Sequence, residues 1–232
     1  MRCEEVLILA GGLGTRLRSE VPNLPKPLAP VNGRPFLAYL LDRYASVGMR
    51  RCILATGYLA EMIQRTVGAR WAGMEIVYSQ EDAPLGTGGA IAAAAHLTVG
   101  SGLHVCNGDT YLIYAPPALE AAAANGGIAI ALAYVEDVSR YGAVAVSKGR
   151  VLHFEEKRAG GAGFINAGSY FLDTEALSRL PQGRAFSFEK DVLEPEAAGG
   201  RVGALVETSG FIDIGVPSDF RRAQSLFASG DC

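Results

Sequence analysis

Leu9–Pro30 reads LAGGLGTRLRSEVPNLPKPLAP, and it follows the apolar run Val6–Leu9. A short apolar run emptying into glycines has the pattern of a buried strand that ends in a tight loop. Gly11, Gly12 and Gly14 carry no Cβ, so main-chain N–H groups there can close on an anion. A helix N-terminus beside the loop would add partial positive charge. Arg16 brings a planar fork for phosphate oxygens, and Lys26 brings a mobile point charge. Together they outline a polyphosphate site at the carboxyl end of a strand, where open α/β sheets bind their ligands.

Two better-known glycine motifs do not fit. A P-loop requires Lys and then Ser or Thr directly after its last glycine, whereas Thr15-Arg16 follows Gly14. The dinucleotide fingerprint requires a third glycine where Leu17 stands. An ordinary strand-to-helix turn is the plain alternative for the glycines alone. Arg16 and Pro25-Lys26-Pro27 speak against it.

Composition narrows the class. The 232 residues suit one α/β domain, and 49% of them are hydrophobic, enough for a substantial core. The formal net charge is −3 and there is no basic run, so nucleic acid is not the expected partner. Cys3, Cys52, Cys106 and Cys232 are scattered without a CxxC pair, which argues against a zinc site or a disulfide framework. Cys52 and Cys106 lie inside apolar runs and are expected as buried thiols. Glu4-Glu5 ahead of the first apolar run is wrong for a signal peptide, and no apolar stretch has the length of a membrane span. A reducing cytoplasm is the expected location.

Strands and helices alternate through the first half. Strands are expected at Val6–Leu9, Arg51–Thr56, Met74–Ser79, Leu103–Cys106 and Ile128–Tyr134. Helices are expected at Phe36–Val47, Leu59–Val67, Gly86–Leu97 and Pro116–Ala124. That alternation implies a parallel, doubly wound sheet. After Tyr134 the pattern changes. Gly142–Ser147 and Val151–Glu155 flank Lys148-Gly149-Arg150 as a hairpin, and Phe164–Leu172, Arg201–Val206 and Phe211–Ile214 read as strands. Thr174–Leu180 and Ser187–Glu194 read as helices with Thr174 and Ser187 as N-caps, and Pro217 opens a last helix. The pattern suggests a single domain over 1–232, a βα half (1–134) followed by a mixed half (135–232) with an acceptor subsite appended.

Two acids stand at strand ends. Asp109 closes Asn107-Gly108-Asp109, and Asp213 lies in Phe211-Ile212-Asp213-Ile214-Gly215. Each alone reads as a turn Asp bonding its own backbone. Beside a phosphate loop they make a pair suited to Mg²⁺, which takes one or two carboxylates plus phosphate oxygens and water. Asn166 offers both donor and acceptor for a hydroxyl, and glycines such as Gly142 and Gly168 would let a ring approach the backbone. His96, His104 and His153 are expected to be structural.

Gly11-Gly12-x-Gly-Thr-Arg, followed ten residues after the arginine by Pro-Lys-Pro, resembles the signature of the sugar-1-phosphate nucleotidylyltransferases. One stretch departs: where most members carry Pro-Leu-Thr, this chain has Arg18-Ser19-Glu20-Val21 at the same overall spacing. The resemblance implies a Rossmann-like doubly wound mixed sheet of the nucleotide-diphospho-sugar transferase, GT-A-like type, with 1–134 mainly the nucleotide-binding half and 135–232 mainly the sugar-phosphate half. It implies Arg16, Lys26, Asp109 and Asp213 as the catalytic set, with Mg²⁺ on Asp109 and Asp213. The nucleotide would be held by Ala10, Gly11, Gly12, Gly14, Thr15, Arg16 and Lys26, with Glu81, Gly86 and Gly88 toward the base. The sugar phosphate would meet Gly142, Glu156, Lys157 and Asn166, with Lys157 on the 1-phosphate and Glu156 on sugar hydroxyls. Glu81 stands where many relatives have a glutamine for uracil or thymine, and its neighbours Gln80 and Asp82 leave a one-residue slip open. Pro-Leu-Gly-Thr-Gly-Gly-Ala, Asn-Gly-Asp-Thr, Arg-Tyr-Gly, Phe-Glu-Glu-Lys, Phe-Ser-Phe-Glu and Phe-Ile-Asp-Ile-Gly-Val-Pro are similar to the heptose-phosphate guanylyltransferase branch. The expected partners are therefore GTP, or another nucleoside triphosphate, and a sugar 1-phosphate. Neither nucleic acid nor membrane is expected, and a homo-oligomer stays open. A uridylyltransferase for a hexose or muramate 1-phosphate and a non-catalytic sugar-nucleotide sensor are the alternatives.

Overall fold

The computed structural model describes residues 2–12, 14, 17, 20–124, 126–155 and 160–229. The chain runs β1 (Glu5–Leu9), β2 (Pro30–Val31), β3 (Arg34–Pro35), α1 (Phe36–Ser46), β4 (Arg51–Thr56), α2 (Ala60–Val67), β5 (Arg70–Trp71) and β6 (Met74–Gln80). Next come α3 (Gly86–Ala95), β7 (Gly102–Asn107), β8 (Thr110–Ile113), α4 (Pro116–Ala122), β9 (Ile128–Val135), β10 (Val144–Ser147), β11 (Arg150–Phe154) and β12 (Gly163–Asp173). The remainder is α5 (Thr174–Ser178), a π-helical turn (Glu189–Leu193), α6 (Glu194–Ala198), β13 (Val202–Leu205), β14 (Ser209–Asp213) and α7 (Pro217–Ser229).

Ten strands form one sheet in the order β10-β11-β13-β9-β12-β7-β1-β4-β6-β5. β1 lies between β4 and β7 and runs parallel to both. It is covered on both faces, which explains its unbroken apolar run in place of an alternating one. Val6 and Ile8 face α1, α2, α4 and α7, while Leu7 faces α3, α5 and α6. β4, β1 and β7, with β6 beyond β4, are thus the parallel, doubly wound core that alternation in the sequence implies. β9 does not continue it by pairing with β7, because β12 inserts between them, antiparallel to both. The sheet is therefore mixed, in a single-domain α/β fold.

The hairpin expected around Lys148-Gly149 forms, with both residues at positive φ (48° and 72°), as a two-residue turn between twisted strands requires. α5 is capped one residue earlier than expected: Asp173, not Thr174, accepts the Ala176 N–H at 2.7 Å. Ser187 does act as a cap, accepting from Lys190 N at 3.2 Å, but the turn after it is π-helical. Among the described residues, no helix is long and apolar enough to cross a membrane.

Two arrangements outside the main sheet position the site. β14 pairs antiparallel with β8, aligning Asp213 with Thr110, and Ile214 N donates to Asp109 O at 2.9 Å. This ribbon brings the two sequence-distant aspartates together. α7 folds back onto the segment that follows Lys26. Its Phe227 ring packs on Phe36, Tyr39 and Tyr111, and Gln224 bonds both Asn32 N (2.7 Å) and Pro30 O (2.9 Å).

α3 begins at Gly86-Thr87-Gly88-Gly89 because another segment lies directly on it. Gly88 N donates to Phe186 O (3.0 Å) and Phe186 N to Leu85 O (3.0 Å). A Cβ on Gly88 would run into the Phe186 ring, and one on Gly89 would lie 2.8 Å from Arg184 O. Gly88→Ala is therefore expected to overpack this seam and destabilise the fold by about 1–3 kcal/mol. Thermal unfolding should show it as a Tm lower by several degrees, whereas an unchanged Tm would mean that the seam gives way freely.

Candidate active site

β1 and β7 end side by side, and their exits wall a cavity of about 320 Å³. Leu9, Gly11 and Gly12 line it from β1, Asn107, Gly108 and Asp109 from β7, Glu81, Pro84, Gly86 and Thr87 from the β6–α3 connection, and Lys26 and Pro27 from the turn at Lys26–Leu28. The glycines permit close packing of these segments. Gly11 lies where a Cβ would come within 3.3 Å of both Glu81 Oε1 and Gly57 N. Gly14 has φ +59°, a left-handed conformation suited to glycine, and a Cβ there would sit 3.0 Å from Lys26 Cβ. Gly12 has open space around its Cα.

Lys26 and Asp109 form an ion pair through Nζ and Oδ2, with side chains only 11% and 27% exposed. Asp213 lies in the same corner. Its Oδ1 accepts from Gly215 N at 2.6 Å, and a Cβ on Gly215 would touch both that oxygen (2.7 Å) and Lys26 Nζ (3.0 Å). Burial raises the Asp213 carboxyl above its ordinary value, and the Asp109 charge adds to this while Lys26 opposes it. Two carboxylates and one lysine, paired with Asp109, thus meet in a partly desolvated corner. Among the described residues no cluster of three or more His, Cys, Asp or Glu side chains could hold a metal. A carboxylate pair next to an open cavity does fit Mg²⁺, which completes its shell with phosphate oxygens and water.

Glu81 alone of Gln80, Glu81 and Asp82 lines the cavity; the other two are exposed. Its Oε2 accepts from Leu85 N at 3.1 Å and its backbone N–H donates to Thr56 O at 2.8 Å. Burial raises its carboxyl above the ordinary range, with the Leu85 bond opposing. Gly86 is on the cavity wall at φ +69°. Gly88 is not on that wall, and its N–H is taken by Phe186 O. Ala10 is buried behind the loop, its N–H continuing the ladder to Ala55 O at 2.8 Å.

Asn166, expected at the sugar phosphate, does not line the cavity and precedes an irregularity of β12 between Asn166 and Ser169. Its Oδ1 accepts from Gly168 N (2.8 Å), and its Nδ2 donates to the Tyr170 hydroxyl oxygen (3.0 Å). Gly168, at φ +64°, packs so tightly on the Asn107 amide that no Cβ fits. Asn166 is thereby brought toward the end of β7. Gly142 is buried and does not line the cavity; it follows Arg140 and Tyr141, which both bond Asp219 of α7 at 2.6 and 3.4 Å. Thr15, Arg16, Glu156 and Lys157 lie outside the described residues. His104 is fully buried against Glu120 (3.2 Å) and Phe171, and His153 is exposed on β11. Neither lines the cavity, and Cys3, Cys52 and Cys106 are buried free thiols. Thr87 and Asn107 line the cavity although the sequence reading gave them no role.

The β1 loop, the lysine and the two aspartates meet at one cavity of an α/β fold, and the chain belongs to the nucleotidyl transferase family, whose pattern matches residues 5–230. It is similar to the D-glycero-alpha-D-manno-heptose 1-phosphate guanylyltransferase of Aneurinibacillus thermoaerophilus, at 40% identity over 95% of this chain and 96% of that protein. The mannose-1-phosphate guanylyltransferase of Mycobacterium tuberculosis is 36% identical, with 97% of this chain matching 65% of that protein. Among solved structures, HddC from Yersinia pseudotuberculosis complexed with GMP-PN superposes with a TM-score of 0.85 at 36% identity, covering 97% of this chain and 99% of that one.

The Lys26–Asp109 pair gives a direct test of the corner. Lys26→Met leaves two carboxylates without their cation and is expected to destabilise the ligand-free protein by about 1–3 kcal/mol, less than for a fully buried pair. Adding Asp109→Leu should restore part of the loss, because no like-charge pair then remains. Denaturant unfolding of the single and double variants reads this, and two additive losses would mean that the ion pair is not coupled.

Proposed function

We propose that this protein transfers the guanylyl group of GTP to D-glycero-α-D-manno-heptose 1-phosphate, releasing pyrophosphate and leaving the GDP-sugar. Full-length similarity to heptose 1-phosphate guanylyltransferases of 40% and 37% identity carries the choice of substrates. The position of Glu81 supports the base: guanine presents N1–H and the N2 amino group side by side, and a carboxylate accepts both. Uracil and thymine present one N–H between two carbonyls, which face a carboxylate unfavourably.

An oxygen of the sugar 1-phosphate attacks the α-phosphorus of GTP in line. The new P–O bond forms as the bond to pyrophosphate breaks, and the electron pair leaves on pyrophosphate. The attacking oxygen is already anionic, so no general base is needed, consistent with the absence of histidine from the cavity lining among the described residues. Lys26 changes partner from Asp109 to a phosphate oxygen, and main-chain N–H groups around Gly11 and Gly12 close on the phosphates. Asp109 and Asp213 would hold Mg²⁺, which when bound offsets the charge of the triphosphate and of the leaving group. By the family pattern, Arg16 grips the triphosphate, Lys157 the acceptor phosphate and Glu156 the sugar hydroxyls. Catalysis on this reading is positioning and charge neutralisation.

Pyrophosphate release, with four nucleoside triphosphates crossed against a panel of sugar 1-phosphates, is the test. GTP with the heptose phosphate should give the highest kcat/KM, and a preference for UTP would overturn the reading. Glu81→Gln should narrow the GTP-over-UTP preference by roughly 10–100-fold, the worth of a buried charge-assisted pair left unmade. Because burial raises the Glu81 carboxyl, its protonation begins at higher pH than for an ordinary glutamate. Protonation turns an acceptor into a donor, so kcat/KM for GTP should fall as pH drops through that value. The Glu81→Gln variant should lack this limb, and an identical limb in both proteins would assign it elsewhere. Asp109→Asn and Asp213→Asn should each lose most turnover at saturating Mg²⁺ while remaining folded, and near-normal activity would remove that residue from the metal site.

A further inference from the structure

Phe186-Ser187-Phe188-Glu189 matches a stretch of the sequence to which the mechanism gives no role. It runs along the first turn of α3 as a strap, bonded to Leu85 and Gly88 through the main chain. Glu189 is its half-buried end and opens the π-helical turn, a feature concentrated at functional sites. Its Oε2 accepts from Thr87 Oγ1 at 2.7 Å and from Ser187 Oγ at 3.0 Å. Its Oε1 accepts from the Tyr170 hydroxyl at 3.3 Å. Thr87 is on the cavity wall, and its Oγ1 also accepts from Phe188 N at 2.9 Å. Tyr170, 1% exposed, contacts Asn166 through the same hydroxyl, at 3.1 Å from Oδ1 and 3.0 Å from Nδ2. A continuous chain of hydrogen bonds therefore runs from the nucleotide wall to the acceptor side: Thr87, Glu189, Tyr170, Asn166.

We propose that Glu189 is a positioning residue that couples the two substrate sites, setting the Thr87 hydroxyl on one side and, through Tyr170, the Asn166 amide on the other. The acceptor end of this proposal rests on the reading of Asn166 as part of the sugar-phosphate site. The chemistry favours a carboxylate at this junction. It is acceptor-only, so it fixes the direction of both hydroxyl bonds and orients Thr87 and Tyr170 as donors toward it. Burial raises the Tyr170 hydroxyl well above its ordinary value, with the Glu189 charge adding to this, so the proton stays on tyrosine. The Asn166 amide is in turn held in one flip state by Gly168 N on its Oδ1. Neither Glu189 nor Tyr170 lines the cavity, so their effect on substrate passes through the residues they orient.

The test is a double-mutant cycle on the full chain, using GTP and the heptose 1-phosphate or whichever nucleotide–sugar phosphate pair proves best. Thr87→Val and Asn166→Ala do not share a hydrogen bond, yet in the wild-type background their effects on kcat/KM should be non-additive by at least about threefold, the range of networked side chains. In Glu189→Ala the same cycle should become additive within the error of such measurements. Glu189→Gln should restore part of the coupling, because its amide can still accept from Thr87 and donate to the Tyr170 oxygen. If Glu189→Ala fails to fold, Tyr170→Phe removes only the second link and should likewise make the cycle additive, with KM for GTP near wild type. Additivity in the wild-type background, or coupling undiminished in Glu189→Ala or Tyr170→Phe, would overturn the proposal. A wild-type protein that turns over no such pair would overturn the reading of the site itself, and this proposal with it.

Discussion

A lysine paired with one aspartate and close to a second is the constraint on which the rest of the site depends. Lys26 pairs with Asp109 and lies close enough to Asp213 to oppose the rise in its carboxyl. The three residues come from the beginning, middle and end of the chain, so the fold has to gather them. β1 and β7 lie side by side, which puts Asp109 beside the glycine loop. The β8–β14 ribbon delivers Asp213, and α7 braces the hairpin that follows Lys26 through Gln224 and Phe227. Like charges in a partly buried corner favour neither folding nor full ionisation without a cation. Lys26 supplies one in the ligand-free protein. On the proposed reading Asp109 and Asp213 would hold Mg²⁺, and Lys26 would then serve the phosphates.

The glycines around the cavity serve two different purposes. Gly11 and Gly14 permit close approach inside the site itself, to Glu81 and to Lys26. Gly88 and Gly89 permit close approach of a supporting segment, the strap from Arg184 to Phe188. In the sequence the two sets look alike, since each is a glycine cluster opening a loop or a helix. The distinction is tertiary: what lies opposite each Cα decides whether a ligand or the protein's own backbone fills the space that the absent side chain leaves.

Much of the parallel core is legible in the sequence because buried strands announce themselves as apolar runs. β4 occupies Arg51–Thr56, the span its periodicity predicts. β8 is not legible, since Thr110–Ile113 follows β7 with only a turn between and its partner β14 is about a hundred residues away in sequence. The insertion of β12 between β7 and β9 is equally silent, because periodicity gives strands and not their neighbours. In the site, Asp109 and Asp213 could be picked out as acids at the ends of apolar runs, and Lys26 by its place in Pro25-Lys26-Pro27 after the glycine loop. Counting back from Gly86 picks Glu81 in the sequence, and the structure adds that it, and not Gln80 or Asp82, lines the cavity. Glu189 and Tyr170 could not be placed at all: their roles exist only in the hydrogen bonds that join the strap to β12.

A crystal structure with Mg²⁺ and a non-hydrolysable GTP analogue tests whether the lysine–aspartate corner holds phosphate and metal. Mg²⁺ should then be held by carboxylate oxygens of both Asp109 and Asp213, with Lys26 Nζ moved from Asp109 to a phosphate oxygen. A bound nucleotide with the Lys26–Asp109 pair intact and the metal held by other residues would contradict it.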